Sequence, residues 1–179
     1  MEHSTHKSHN APSGHNTQSR IKSHDMSMDH KNHYKKLLWM MIASFIAMYI
    51  LMYAMVDRFV NVIPNFNQFY MAGLMSAPML IIELLLMGKM YPNKKMNTIL
   101  IGLGAALLLT FFLLIRNQAA IGDKQFLKSM IPHHAGAILM VEKSELKDPE
   151  VQKLAEDIID AQNKEIEFMK AKINELENK

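Results

Sequence analysis

Three long apolar runs leave this chain few ways to fold. The first, Leu37 to Val56, reads LLWMMIASFIAMYILMYAMV and carries no charge. The second extends over roughly 69–87 and the third over roughly 98–115. About 20 apolar residues in a row make a helix that crosses the hydrocarbon core of a bilayer. A core helix of a soluble protein is apolar along one stripe rather than all round. The runs therefore predict three transmembrane helices. The polar leader before the first run is too long for a signal peptide, and no small-residue cleavage pattern follows it. That run is expected to remain as an uncleaved anchor.

Around the runs, the 179 residues divide into three zones. Residues 1–36 form a polar tail with seven of the nine histidines, 37–122 the membrane region, and 123–179 a charged, periodic segment. The net charge of +3 comes mostly from Lys and Arg that bracket the apolar runs. No basic face interleaved with aromatics appears, so a nucleic-acid partner is not expected. Basic residues near the spans set orientation. Arg20, Lys22, Lys31, Lys35 and Lys36 precede the first run, and Lys89, Lys94 and Lys95 lie between the second and third. The expected arrangement is a multi-pass protein of a bacterial-type plasma (inner) membrane. Its N-terminus is cytoplasmic and its C-terminal domain lies outside. Tyr34, Trp39, Tyr70 and Tyr91 sit near the run ends, where lipid-interface anchors belong.

The last zone reads as two helices. Asp123 can cap the first, and Pro132 inside it should kink it or mark its true start. Asp148, Pro149 and Glu150 are an N-cap, a first-turn proline and an acidic residue at the positive helix end, so a second helix is expected from Pro149 to about Leu176. At about 100° per residue, Met130, His134, Ala137 and Val141 cluster on one side of the first helix, with His133 and Met140 at its edge. In the second, Val151, Ile158, Gln162, Glu165, Met169, Ile173 and Leu176 share a stripe. The expected core of this hairpin places Met130, His133, His134 and Met140 opposite Gln162, Glu165 and Met169. A carboxylate and two imidazoles on an apolar face need partners. Either Glu165 accepts from a histidine and the methionines fill the core, or thioethers and imidazoles hold a metal while Gln162 and Glu165 orient the histidines.

The blocks FLKSMIPHHAGAILM and DPEVQKLAEDIIDAQNKEIEFM resemble the domain of unknown function 305 family over about residues 120–175. The matching residues include Phe126, Met130, Ile131, Pro132, His133, His134, Ala137, Met140, Asp148, Ile158, Gln162, Glu165, Ile166 and Met169. The resemblance implies a ferritin-like helical bundle, and it implies copper chemistry outside the cytoplasm. Carried over, Met130, His133, His134, Met140 and Met169 are the candidate ligands. The fold expected is all-α: three transmembrane helices followed by an extracytoplasmic hairpin. That hairpin is half of a ferritin-like four-helix bundle, completed by a homodimer or by packing on the protein's own first outer loop.

Composition sharpens the choice of metal. The chain has no cysteine and 17 methionines, so a soft-metal site has thioether and imidazole to work with. That donor set suits Cu(I), and by the same logic Ag(I), better than magnesium, calcium or manganese. No Glu-x-x-His motif supports a di-iron bundle. In the tail, His24, Met26, Met28, His30 and His33 form a denser His/Met tract in a segment whose composition cannot bury a core. Met71, Met75, Met79, Glu83 and Met87 recur every four residues along the second run, and Met48, Met52 and Met55 mark the first. These read chiefly as helix packing. Glu83 is expected to face the bundle interior, to stay protonated, to pair with Lys89, or to cap a thioether ladder. Pro78 should kink the second span, and Gly102 and Gly104 should let the third approach its neighbours. The function expected is a non-enzymatic, membrane-anchored Cu(I) protein, passing its ion to a metal-efflux partner. A membrane-anchored helical interaction module with a purely structural His/Glu/Met cluster is the alternative.

Overall fold

A computed structural model describes the backbone of residues 15–178 and the side chains of residues 32–178. Five helices follow in order: α1 (His15–Leu51), α2 (Phe66–Leu86), α3 (Lys94–Arg116), α4 (Asp123–Lys143) and α5 (Pro149–Glu177). Two 3₁₀ turns, Met52–Met55 and Phe59–Asn61, link α1 to α2. No strand occurs among the described residues. Three stretches, Asn32–Met55, Phe66–Leu86 and Lys94–Arg116, are long and apolar enough to cross a membrane. Their outward side chains, among them Trp39, Ile46, Leu85 and Leu109, are exposed apolar groups. That is the pattern of helices solvated by lipid rather than by water. The tail ligands His24, Met26, Met28 and His30 lie outside the described side chains.

The three apolar helices touch through small residues and rings. A Cβ added at Gly104 would lie 2.9 Å from Ile81 Cγ1, and one at Gly73 would overlap the Phe111 ring. The α2–α3 contact thus rests on a glycine from each helix, Gly73 and Gly104, since only a residue without Cβ admits that approach. The expected Gly102 faces open space instead. Phe69 joins the bundle together, with ring centroids 5.1 Å from Phe45 and 6.2 Å from Phe111. α2 remains one helix through Pro78.

At one end of the bundle, Leu37, Leu80, Leu84 and Tyr91 form a buried cluster. Tyr34 donates to Asn97 Oδ1 at 2.7 Å and packs its ring against Tyr91 at a tilt of 50°. Tyr91 donates to Glu83 Oε1 at 3.2 Å. The partner of Glu83 is therefore this tyrosine rather than Lys89, whose side chain is exposed. Tyr34 and Tyr91 turn inward to hydrogen bonds, and Trp39 alone among the expected anchors is widely exposed to the lipid side. The methionines of α2 do not make one ladder. Each step of four residues turns about 40° further round the helix, so the row winds away from any single face. Met75 and Met87 are exposed and Met79 is half-buried.

The hairpin sits at the other end. A turn with positive φ at Gln118 and Ala120 carries the chain from α3 into α4. Asp123 is not the cap of α4 as expected. The helix starts at Asp123 itself with Gly122 at the N-cap position, which leaves the carboxylate in the first turn beside the positive helix end. Pro132 neither ends nor begins the helix, which is continuous across it. Asp148 does cap α5, accepting from the backbone N–H of Glu150 at 2.9 Å and of Val151 at 3.1 Å.

α4 and α5 close on an aliphatic core of Leu127, Ile131, Ala135 and Ile138 against Ile166, Met169 and Ile173. Val56 and Ile63, from the loop between α1 and α2, pack against the same core. Polar contacts seat the hairpin on that end of the bundle. Lys170 donates to Asn61 Oδ1, Asn67 donates to Ser129 Oγ at 3.3 Å, and the Phe66 N–H reaches Gln125 Oε1 at 3.2 Å. Tyr70 donates to Ala119 O at 3.0 Å across the turn. Of the two expected ways to cover the hairpin, packing onto the first loop is present within a single chain.

Candidate functional site

The sequence places Met130, His133, His134 and Met140 on the side of α4 that meets α5. The structure keeps His134 against α5 and packs Met130 at the edge of the α4–α5 core, but turns His133 and Met140 away from it. The side buried against α5 is centred on Ile131, Ala135 and Ile138, about 100° further round than Met130. α4 is apolar on nearly all sides because it is sandwiched between α5 and the ends of the spans. A helical wheel gives the angles between its residues but not which neighbour each faces.

Consecutive residues on a helix diverge by about 100°, and the two histidines accordingly part company. His134 turns toward α5, where its Nε2 lies 2.7 Å from Glu165 Oε2. The tautomer with hydrogen on Nε2 donates that bond and leaves Nδ1 as a bare acceptor. His134 Nδ1 is buried and has no partner among the described residues. Glu165 is not buried on the stripe as expected. Its side chain is 56% exposed, and the buried position belongs to its neighbour Ile166. The carboxylate thus reaches the imidazole from the rim of the interface while staying hydrated. Gln162 is half-buried and hydrogen-bonds neither histidine. Met169, 5% exposed, belongs to the aliphatic core with Ile131 and Ile166.

His133 turns the other way. With Met130 and Met140 it forms one wall of a cavity of about 510 Å³ between α4 and the ends of the spans. Ser129, Pro132, Gly136 and Ala137 complete that wall. Gly136 lies where α4 crosses the turn after α1, with Met55 O 3.5 Å from where its Cβ would be. Opposite stand Met52 and Met55 from that turn and Met71 from α2, together with Asn65, Asn67 and Gln68. Of the five candidate ligands, the structure brings Met130, His133 and Met140 to this cavity and leaves His134 and Met169 in the α4–α5 interface.

Sequence reading missed the facing wall. Met52, Met55 and Met71 read as packing residues of their own helices. The available signal was the amide cluster Asn65, Asn67 and Gln68 at the head of an otherwise apolar run. Asn65 is spent on local structure, accepting from the Gln68 N–H at 2.9 Å as the N-cap of α2. Asn67 gives its Nδ2 to Gln118 and Ser129, while its Oδ1 is buried with no partner among the described residues.

The chemistry of the lining is narrow. It offers five thioethers and one imidazole, with neutral amides and a hydroxyl, and no carboxylate. Among the described residues no three His, Asp or Glu side chains gather to hold an ion. A hard cation finds little here, because magnesium and calcium want several anionic or carbonyl oxygens. Thioether and imidazole are the donor types that soft cations such as Cu(I) and Ag(I) prefer.

Residues 114–173 match the family described as "Domain of unknown function (DUF305)". The chain is 36% identical over 148 residues to "Uncharacterized protein L153" of Acanthamoeba polyphaga mimivirus, an alignment covering 80% of this chain and 95% of that protein. A likeness of that extent is more than twice the length of the matched domain and takes in helices upstream of it. The chain belongs to this family, with the matched domain at its C-terminal end. No solved structure matches it.

Proposed function

We propose that this chain is a membrane-anchored protein that binds a soft monovalent cation, Cu(I) or Ag(I), through the cavity-facing side of its hairpin. One observation carries the reading: Met130, His133 and Met140 share one wall of a cavity whose lining has thioether and imidazole donors and no carboxylate. Such a protein would sequester or relay its ion in copper homeostasis or resistance and hand it to a metal-efflux partner. The ion is cargo, and no covalent chemistry is needed. The distribution of basic residues supports an N-terminus in the cytoplasm of a bacterial-type inner membrane and a hairpin outside. A His/Met tract from His24 to His33 on the opposite side would collect the same class of ion. The outward side of α5 exposes Val151, Leu154 and Phe168. A second copy of the chain meeting that side would complete a four-helix bundle of the ferritin-like kind.

The alternative, a helical interaction module without metal, draws support from the α4–α5 interface. The His134–Glu165 pair at 2.7 Å and the buried Met169 both have structural roles there. We therefore assign His134 and Met169 to holding the hairpin together and Met130, His133 and Met140 to the ion.

The test is a Cu(I) titration of the full chain in detergent, under reducing conditions, against a chromophoric Cu(I) chelator. The Met130→Leu/His133→Ala/Met140→Leu variant should weaken affinity about tenfold or more, the least expected when direct ligands are lost. Unchanged affinity would sink the assignment and favour the interaction module.

A further inference from the structure

We infer that Met52, Met55 and Met71, at the end of the spans, complete the ion site of the hairpin, so that one soft cation bridges the hairpin and the membrane region. The inference rests on the soft-metal reading above and extends it to residues outside the matched domain.

Five of the chain's 17 methionines converge on one cavity although they come from three separate elements. Met75, Met79 and Met87 of the second run do not line it. Met55 and Met140, 55% and 56% exposed, stand on opposite walls of the cavity. An ion arriving at the hairpin end would meet thioethers from both sides at once.

The cavity is larger than a single ion needs, which fits the character of its walls. Methionine is unbranched, with three rotatable bonds, and can swing in to meet a soft ion without a backbone shift. The donors are neutral and soft, a set that suits a soft monovalent ion better than a hard divalent one, which wants oxygen and carboxylate partners. Asn67 also lines this cavity, and its buried Oδ1 has no hydrogen-bond partner among the described residues.

The consequence is mechanical as well as chemical. α4 lies across the turn after α1, and the hairpin is seated there by the packing of Val56 and Ile63 on its core and by polar contacts such as Asn67–Ser129 and Lys170–Asn61. An ion shared between the two walls adds a clamp to that seam. Metal binding then reports on the seating of the hairpin, and a partner that takes the ion loosens it.

The test uses Ag(I), which avoids redox chemistry, with the full chain in detergent. Three variants are compared: the hairpin variant Met130→Leu/Met140→Leu, the span variant Met52→Leu/Met55→Leu/Met71→Leu, and a control, Met48→Leu/Met75→Leu/Met79→Leu. Met and Leu are close in volume, so the substitutions keep the packing. The hairpin and span variants should each lose about tenfold or more in Ag(I) affinity, and the control should match the parent. Loss in the hairpin variant alone overturns the bridging site and leaves the hairpin assignment standing. Loss in neither overturns both. Equal loss in the control also overturns the inference, since the effect would then not belong to this cavity. Should the span variant fail to fold, Met55→Leu and Met71→Leu are read singly by the same criteria.

Discussion

Ile131 and His133 stand two residues apart on α4, about 200° round the helix, and meet opposite fates. Ile131 is fully enclosed between α4 and α5, in a dry aliphatic interface with Ile138 and Ile166. His133 is exposed at a cavity between α4 and the spans, among thioethers and amides. One face of the helix is filled to contact and holds the hairpin together. The other leaves space and gathers donor atoms. Packing, more than residue hydrophobicity, separates the filled interface from the open face, since methionine stands in both. Met169 of α5 lies in the filled interface, Met130 packs at the edge of that core while also lining the cavity, and Met140 stands on the open face; Met130 and Met140 are candidate ligands.

The sharpest way to break this contrast is to remove bulk from each face in turn. Ile131→Ala should destabilise the hairpin by about 2–5 kcal/mol, the range for truncating a fully buried aliphatic side chain. Denaturant or thermal unfolding in detergent, followed by far-UV circular dichroism, reads it. On the open face, Met140→Leu should change stability by less than about 1.5 kcal/mol, as volume-conserving swaps do. It should weaken Ag(I) binding instead. If Ile131→Ala proved as mild as Met140→Leu, the filled face would not be the core of the hairpin.

How much of this the sequence reveals depends on the kind of contact. The three spans and the hairpin are legible because long apolar runs and the Asp148-Pro149-Glu150 start are local signals. Asp148 caps α5 as its position implies. The α2–α3 contact is half legible: Gly104 was expected, and Gly73 is recognisable only once Phe111 is seen over it. The site is the least legible part. Met130, His133 and Met140 are candidates from the family resemblance together with helical spacing, but neither says which neighbours they face. α4 is apolar on most sides, and no local rule says which side meets α5. Met52, Met55 and Met71 escaped because their closeness to α4 is a long-range fact. It depends on the turn at 118–120 returning the chain to the end of the bundle it left.

The smallest expected effect concerns the seam that closes the hairpin. Glu177, at the end of α5, receives Lys124 Nζ at 2.7 Å and Lys128 Nζ at 3.2 Å from the first turns of α4. Hydrogen bonds from these two ammonium groups hold its carboxyl below the usual carboxylate range. A folded-state value below the unfolded one stabilises the fold at pH above the ordinary carboxylate range. That contribution is lost as pH falls through the folded-state value. Melting followed from neutral to acid pH should show a slight loss of stability in that interval. Glu177→Gln should flatten it, and added salt should shrink it because the groups are solvent-exposed. An unchanged acid limb in Glu177→Gln would show that the pair contributes nothing to closing the hairpin.

The central claim is that the open face of α4 and the ends of the spans hold a soft cation between them. X-ray absorption spectroscopy of the Cu(I)-loaded full chain tests it most directly. A first shell dominated by sulfur, with a minor nitrogen contribution that disappears in His133→Ala and a sulfur count that falls in Met52→Leu/Met55→Leu/Met71→Leu, is the predicted result. A shell of nitrogen and oxygen only, unchanged by either variant, would contradict it.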